Sequence, residues 1–314
     1  TPEFVTYLAF LHHEGSAGRE SAHLAPLAGQ LGLPAPNTDS GHVLLETDGF
    51  RLKWERHNEF SSYCFFRRIE PQDSPDEYAL LHVPAAWRKA IPGLLVAATH
   101  IELRGVAEVP LATVLHQQSR HGQALVASAV SDGAGWVLTD FHLHDGFSHF
   151  LLLDNGFTPR QAGRIAQRLV EIETYRVMAL LAFPVAKEVG RLVSRAEDEL
   201  ADLMDGMGQS RTAEDDRAVL TRLSRLAADV ERSVARTSFR FGAAAAYYRL
   251  VRQRIDDLRE QRLPGYSPIG EFMDRRLVPA IDTCTSIARR QDDLSGRIAR
   301  NSQLLRTRVD VEIE

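Results

Sequence analysis

Three histidines and two aspartates stand within ten residues at Asp140-Phe-His-Leu-His-Asp-Gly-Phe-Ser-His149. Imidazoles and carboxylates at that density are the raw material of a zinc site or of acid–base chemistry. Read as an extended chain from Gly135, the segment puts His142 and His144 on one strand face, because successive strand side chains alternate. Asp145-Gly146 is a tight-turn dipeptide. The chain then returns over Phe147–Leu153 and can bring His149 beside the other two. A polar, solvent-facing strand edge is the competing reading, and it is preferred. No cysteine lies in the stretch, and no H-E-x-x-H helix pair supports a metal.

A second set lies in Lys53-Trp-Glu-Arg-His-Asn-Glu-Phe60. At period two, Glu55, His57 and Glu59 share a strand face. Two carboxylates flanking an imidazole bind a divalent cation or hold a charged histidine. They equally form a polar ladder with arginines such as Arg67 and Arg68. Glu171 and Glu173 resemble paired catalytic acids only on paper. On a helix, i and i+2 do not face each other, so these read as interhelical ion pairs.

The elements that must position these residues divide the chain near 157/158. Residues 1–157 alternate short apolar runs with turns. His42–Leu45, Arg51–Arg68, Tyr78–Val83, Gly93–Arg104, Gln123–Ser131, Trp136–His144 and Phe147–Leu153 read as strands. His23–Gln30, Ala85–Ile91 and Leu111–Ser119 read as short helices. This is a mixed α/β domain without a G-x-G-x-x-G, Walker or G-x-S-x-G fingerprint. At Thr158-Pro159 the composition turns to Ala, Leu, Arg, Glu and Gln, and the pair has the chemistry of a helix start. Three long helices are predicted over 159–205, 213–262 and 268–314, each roughly 70 Å long. Thr212 and Ser267 are the expected N-caps of the later two, and Pro184 and Pro279 the expected kinks. The fold class expected is α+β, an N-terminal α/β domain (1–157) followed by an extended helical bundle or stalk (158–314).

Leu277, Ile281, Cys284, Ala288, Gln291, Ser295, Ile298, Ser302, Leu305 and Val309 step alternately by four and three, the stripe of a coiled coil. It serves an intramolecular three-helix bundle or an oligomeric stalk equally well. Arg249, Arg252 and Arg254 are expected to pair with acids such as Glu171, Glu173 and Asp282.

The 314 residues carry a net charge of −5 and are 44% hydrophobic, ordinary for a chain that buries a core. The acidic balance argues against general nucleic-acid binding. Two cysteines, Cys64 and Cys284, point away from a disulfide framework and toward a reducing compartment. No apolar run approaches the roughly 20 residues that span a bilayer. The chain opens Thr-Pro-Glu-Phe and closes in Arg306–Glu314 without a helix stop. Further chain is expected at both ends.

Four blocks together resemble one bacterial family: Lys53–Phe60; Leu169-Val-Glu-Ile-Glu-Thr-Tyr-Arg176 with Ala179–Pro184; Tyr247-Tyr-Arg-Leu-Val-Arg-Gln-Arg254; and Ala288–Ser295 followed by Leu304–Asp310. It is the domain of unknown function 3422 family, described as uncharacterised membrane-anchored proteins. The likeness covers essentially the whole chain. It implies a C-terminal hydrophobic segment beyond the last helix, implies no reaction, and moves the preference to Glu55, His57 and Glu59. The architecture is also similar to that of CorA-type magnesium channels and their zinc-transporting relatives, a likeness of fold alone. On that likeness Asp282, Asp292, Asp293 and Asp310 become cation contacts of a stalk helix, although solvated helix faces are the plainer reading.

The expectation is therefore a non-enzymatic, cytoplasm-facing part of a bacterial inner-membrane homo-oligomer. It has no nucleic-acid partner and moves a divalent cation, magnesium or zinc, through metal contacts at Glu55, His57, Glu59, Asp282, Asp292 and Asp293. No other cofactor is implied. A membrane-anchored scaffold without transport is the alternative. A metal enzyme ranks last, because no nucleophile, base and orienter stand out together.

Overall fold

In the computed structural model the described residues are 2–12, 18–70, 73, 77–119, 125–209 and 212–311, with the side chains at 117–119, 209, 213 and 310–311 left aside. The chain begins with a strand, Glu3–Leu11 (β1). Two short helices follow, Arg19–Ala22 (α1) and Leu24–Gln30 (α2). Then come His42–Glu46 (β2), Arg51–Arg56 (β3), Phe60–Arg68 (β4), Ala85–Lys89 (α3) and Leu94–Gly105 (β5). Next are Leu111–Ser119 (α4), Val126–Val130 (β6), Gly135–Thr139 (β7), Leu143–His144 (β8) and Phe147–Asp154 (β9). The helical part holds Pro159–Leu180 (α5), Ala182–Gln209 (α6), Ala213–Leu258 (α7) and Ile269–Val311 (α8), with a two-residue strand, Gln261–Arg262 (β10), before the last.

The strands form one sheet in the order β10-β6-β7-β9-β5-β1-β4-β3-β2, with β8 set beside β9. β5 and β9 run parallel; the other pairs are antiparallel. The fold is α+β, as its composition predicts. The central strand β1 was not legible in the sequence. Residues Phe4 to Phe10 are buried on both faces, so the polar–apolar alternation that marks a half-exposed strand is missing. One sheet face carries Leu8, Phe10, Leu52, Trp54, Tyr63 and Phe65, packed with α2 and α3 in the largest core.

Several expected elements are revised. Arg51–Arg68 is not one strand but a hairpin, closed where His57 N–H donates to the Phe60 carbonyl at 2.8 Å. Tyr78–Val83 holds a 3-10 turn over Ala79–His82. The strand expected to run to His144 stops at Thr139, because Phe141 takes a left-handed φ of 54°. The second long helix stops at Leu258, where Arg259 has φ 48°, an αL residue that ends a helix. The chain then pairs Gln261 and Arg262 with Ala129 and Ser128.

α5 begins as its sequence predicts. Thr158 Oγ1 accepts from the Gln161 amide at 3.3 Å, while Gln161 Oε1 accepts from the Thr158 amide and hydroxyl, both at 2.9 Å. This is a reciprocal capping box. The first long helix breaks at Leu181, because Pro184 has no N–H for the Leu180 carbonyl and its ring crowds that carbonyl. Pro279, by contrast, sits inside an unbroken α8. Thr212 caps α7 through the Asp215 amide at 3.1 Å. At the start of α8 the Glu260 carboxylate accepts from Ile269 N at 2.9 Å and Gly270 N at 2.8 Å, and Ser267 Oγ donates to Glu271 Oε1 at 3.0 Å.

The chain forms two compact units, 1–177 with 250–274, and 178–249 with 275–314. The sheet unit therefore takes in most of α5, the end of α7 and the start of α8, beyond the compositional change at 157/158. In the second unit α6, α7 and α8 pack as a bundle. Gln291 Nε2 of α8 donates to Ser233 Oγ of α7 at 2.9 Å, and Arg290 Nε of α8 donates to Glu197 Oε1 of α6 at 3.2 Å. The seam along α8 is the bundle's own interior: Leu277, Ile281, Cys284, Gln291, Ile298, Leu305 and Val309 are all buried. Among the described residues no helix is long and apolar enough to cross a membrane.

Candidate functional site

The sheet face opposite the large core is not filled by side chains alone. β1, β4 and β3 lie side by side there, and their registers set rows of residues across the strands. Val5 stands beside Phe66, Tyr7 beside Cys64 and Lys53, and Ser62 beside Glu55. Above this floor runs α5, whose residues Arg160, Gly163, Arg164, Gln167, Val170 and Glu171 share one face at helical spacing. Floor and helix enclose a cavity of about 510 Å³ lined by these residues. That lies inside the roughly 300–1,000 Å³ typical of small-molecule pockets.

The lining is amphipathic. Val5, Phe60, Phe66, Ala166 and Val170 are apolar, while the hydroxyls of Tyr7, Ser62 and Tyr175 add polar points. The Tyr7 phenol is buried and bonded to Thr174 and Ser62, and burial pushes its pKa up. Burial likewise pushes the Cys64 thiol up, against the pull of Lys53. A thiol held protonated is a poor nucleophile. His57 stacks on Phe60 at 4.3 Å between ring centroids, with Nε2 at 3.5 Å from Ser62 Oγ. Loss of solvent lowers its pKa, although Glu55 and Glu171 pull the other way. The imidazole is therefore neutral at pH 7.

Both carboxylates of the cavity are engaged. Glu55 Oε1 lies 2.9 Å from Lys53 Nζ. Glu171 accepts from Gln167 at 2.9 Å, from Arg168 at 3.0 Å, and from Arg254 of α7. Arg168 Nε also holds Asp257 at 2.9 Å. Arg254 thus pairs as its sequence predicts, and Arg252 pairs with Asp274 at 2.5 Å. Glu173 bonds Ser148 Oγ at 2.9 Å and Arg176 of its own helix at 2.8 Å, a strand-to-helix tie rather than a bridge between helices. Arg160 and Arg164 line the cavity with no ion-pair partner among the described residues.

Of the residues singled out for metal, Glu55 and His57 meet in this cavity. Glu59 does not follow them along a strand, because the hairpin turns between His57 and Phe60, and its carbonyl accepts from His12 N at 2.8 Å. Asp282, Asp292 and Asp293 are exposed on α8. The side chain of Asp310 lies outside the described residues. In the 140–149 stretch, Asp140 Oδ2 pairs with His144 Nε2 at 2.8 Å, while His142 is turned back on the Asp140 carbonyl at 2.9 Å. His144 and His149 stand edge to face with centroids 5.7 Å apart. Among the described residues no group of three or more His, Cys, Asp or Glu converges as a metal ion requires.

Sequence reasoning missed Tyr7, Ser62, Cys64, Arg160 and Arg164. Two signals were present. Phe60, Ser62, Cys64 and Phe66 share a strand face at period two, and Arg160, Arg164, Gln167 and Glu171 share a helix face. Neither pattern says that the two faces meet. Two blocks that carry the family resemblance, Lys53–Phe60 and Leu169–Arg176, line this one cavity, and Arg254 from a third block anchors it.

The model of the family described as "Protein of unknown function (DUF3422)" matches residues 1–314, and the chain belongs to that family. No curated protein and no solved structure matches the chain.

Proposed function

Starting from membership of a family without an assigned activity, we propose that the sheet unit is a small-molecule-binding module whose ligand occupies the cavity between α5 and the β1–β4–β3 face. The observation that carries this is the composition of the cavity. An apolar floor is interrupted by convergent hydroxyls and rimmed by charges, the pattern of a ligand site rather than of a packing defect.

Binding is favoured over catalysis. The Cys64 thiol is held protonated by burial. The His57–Ser62 separation of 3.5 Å exceeds the roughly 2.6–3.2 Å of an activated nucleophile and its base. Binding is also favoured over divalent-cation capture, because Glu55 is paired with Lys53 and Glu171 with Arg168 and Arg254. Cation transport, and a membrane-anchored scaffold as its alternative, rest on the family resemblance and the long helices.

Gly163 gives the direct test. Gly163 lines the cavity and a Cβ added there meets nothing within 4 Å, so Gly163→Leu adds bulk at the cavity wall without disturbing the core. In a thermal-shift screen against a library of small metabolites, compounds that raise the Tm of the wild-type chain should lose that effect in Gly163→Leu. If every active compound shifts both proteins equally, the cavity is not the binding site.

A further inference from the structure

Resting on the reading of this cavity as a binding site, we infer that its ligand is an organic anion with an apolar body, whose charged group lies at Arg160 and Arg164 and whose body lies on Val5, Phe60 and Phe66. Charge accounting comes first. The cationic lining residues are Lys53, Arg160 and Arg164, and the carboxylates are Glu55 and Glu171. Lys53 neutralises Glu55, and Glu171 is held by Arg168 and Arg254. His57 is neutral at pH 7. Two guanidinium groups remain without a counter-charge among the described residues.

Their placement is the second, independent observation. Arg160 stands in the first turn of α5, which has no acidic residue, and a cation there opposes the helix dipole. Arg164 is four residues on, so the two like charges face each other on one helix side, an arrangement that destabilises a helix. Both penalties are relieved by an anion bound between them. The Gln161 and Ala162 amides of α5 already donate to Thr158, so the arginine side chains rather than those amides would hold the ligand. Guanidinium forks match the two oxygens of a carboxylate or phosphate. The floor beneath offers the hydrocarbon and ring surface of Val5, Phe60 and Phe66, beside a Lys53 ammonium that is already paired with Glu55.

The experiment is isothermal titration calorimetry on the full chain with four eight-carbon probes: octanoate, octyl phosphate, octanol and octylammonium. Wild type, Gly163→Leu and the double variant Arg160→Gln/Arg164→Gln are compared. Octanoate or octyl phosphate should bind at one per chain, more tightly than octanol, and octylammonium least. The arginine variant should weaken the anions by about tenfold or more, the scale of charge-assisted hydrogen bonds, and leave octanol unchanged. Gly163→Leu should abolish binding of all four. Tighter octanoate identifies a carboxylate ligand, and tighter octyl phosphate a phosphate. Octanol or octylammonium binding as tightly as the anions, or anion affinity unmoved by the arginine variant, overturns the anion inference while loss of binding in Gly163→Leu keeps the cavity as a site. Absence of binding by both anions overturns the inference as well. Equal binding to wild type and Gly163→Leu removes the cavity reading itself.

Discussion

Arg254 reaches from α7 to the Glu171 carboxylate on α5, joining residues 83 positions apart in the chain. The two side chains are 18% and 15% exposed, so the pair is screened less than a surface ion pair. Glu171 forms part of the cavity wall, and Arg254 fixes the helix that carries it.

Removing that anchor has a definite consequence. Arg254→Ala should cost about 1–2 kcal/mol of stability, because Glu171 keeps Arg168 and Gln167 as partners but loses a charge-assisted bond. Urea unfolding measures it. A double-mutant cycle with Glu171→Gln should show coupling between the two positions, and additive losses would mean that the contact contributes nothing.

Two glycines should respond oppositely to alanine. At Gly163 a Cβ meets nothing within 4 Å, so Gly163→Ala should stabilise α5 by roughly 0.5–1 kcal/mol. At Gly135 the same methyl runs into the Leu153 carbonyl oxygen and the Phe157 ring. Gly135→Ala should therefore destabilise by about 2–3 kcal/mol. Chemical denaturation of the pair is the measurement, and a change of equal sign at both positions contradicts the argument.

Stability should depend on pH through His100. Its ring is stacked between Tyr78, centroid 3.6 Å away, and Phe147, at 4.0 Å. Burial, aided by His149, lowers its pKa from 6.5 to about 3. The unfolded chain takes up a proton near pH 6.5 that the folded chain refuses until about pH 3. The stabilisation is thus complete above pH 6.5 and is lost as pH falls toward 3, at no more than about 1.4 kcal/mol per pH unit. Unfolding free energies at pH 7.5, 6 and 5 should decline in wild type and decline less steeply in His100→Gln. Parallel slopes would assign the loss to other groups.

The bundle carries a buried polar contact that can be tested in the same way. Gln291, 2% exposed, donates to Ser233 Oγ at 2.9 Å and accepts from Thr237 Oγ1 at 3.3 Å. Gln291→Ala should cost about 2–3 kcal/mol, since it deprives the buried Ser233 hydroxyl of its donor and opens space, while Thr237 Oγ1 keeps its bond to the Ser233 carbonyl at 2.9 Å. Adding Ser233→Ala should cost less than its effect alone, because the hydroxyl it removes has already lost its bond.

Local signals carried much of this architecture. Thr158-Pro159 determined where α5 begins, since capping needs only residues three apart. The four-and-three spacing from Leu277 to Val309 determined which face of α8 is buried, since helix periodicity is a property of the chain itself. Pro184 marked the break in the first long helix for the same local reason. By contrast, β1 has no alternation to read, because both its faces are covered by parts of the chain distant in sequence.

The candidate site was half legible for the same reason. Glu55 and His57 could be named from their types and spacing alone. Their companions could not, because Tyr7, Cys64 and Arg164 meet them only through strand register and the placement of α5 over the sheet. The charge states were beyond the sequence as well. Which carboxylates are neutralised, and that Arg160 and Arg164 are left over, depends on distances between side chains up to 83 positions apart. Sequence by itself determined the start of α5, the break at Pro184 and the buried face of α8, which follow from capping, proline chemistry and helix periodicity. Tertiary structure alone decided which of those faces close around a cavity and what charge it presents, because both arise from contacts that no local pattern encodes.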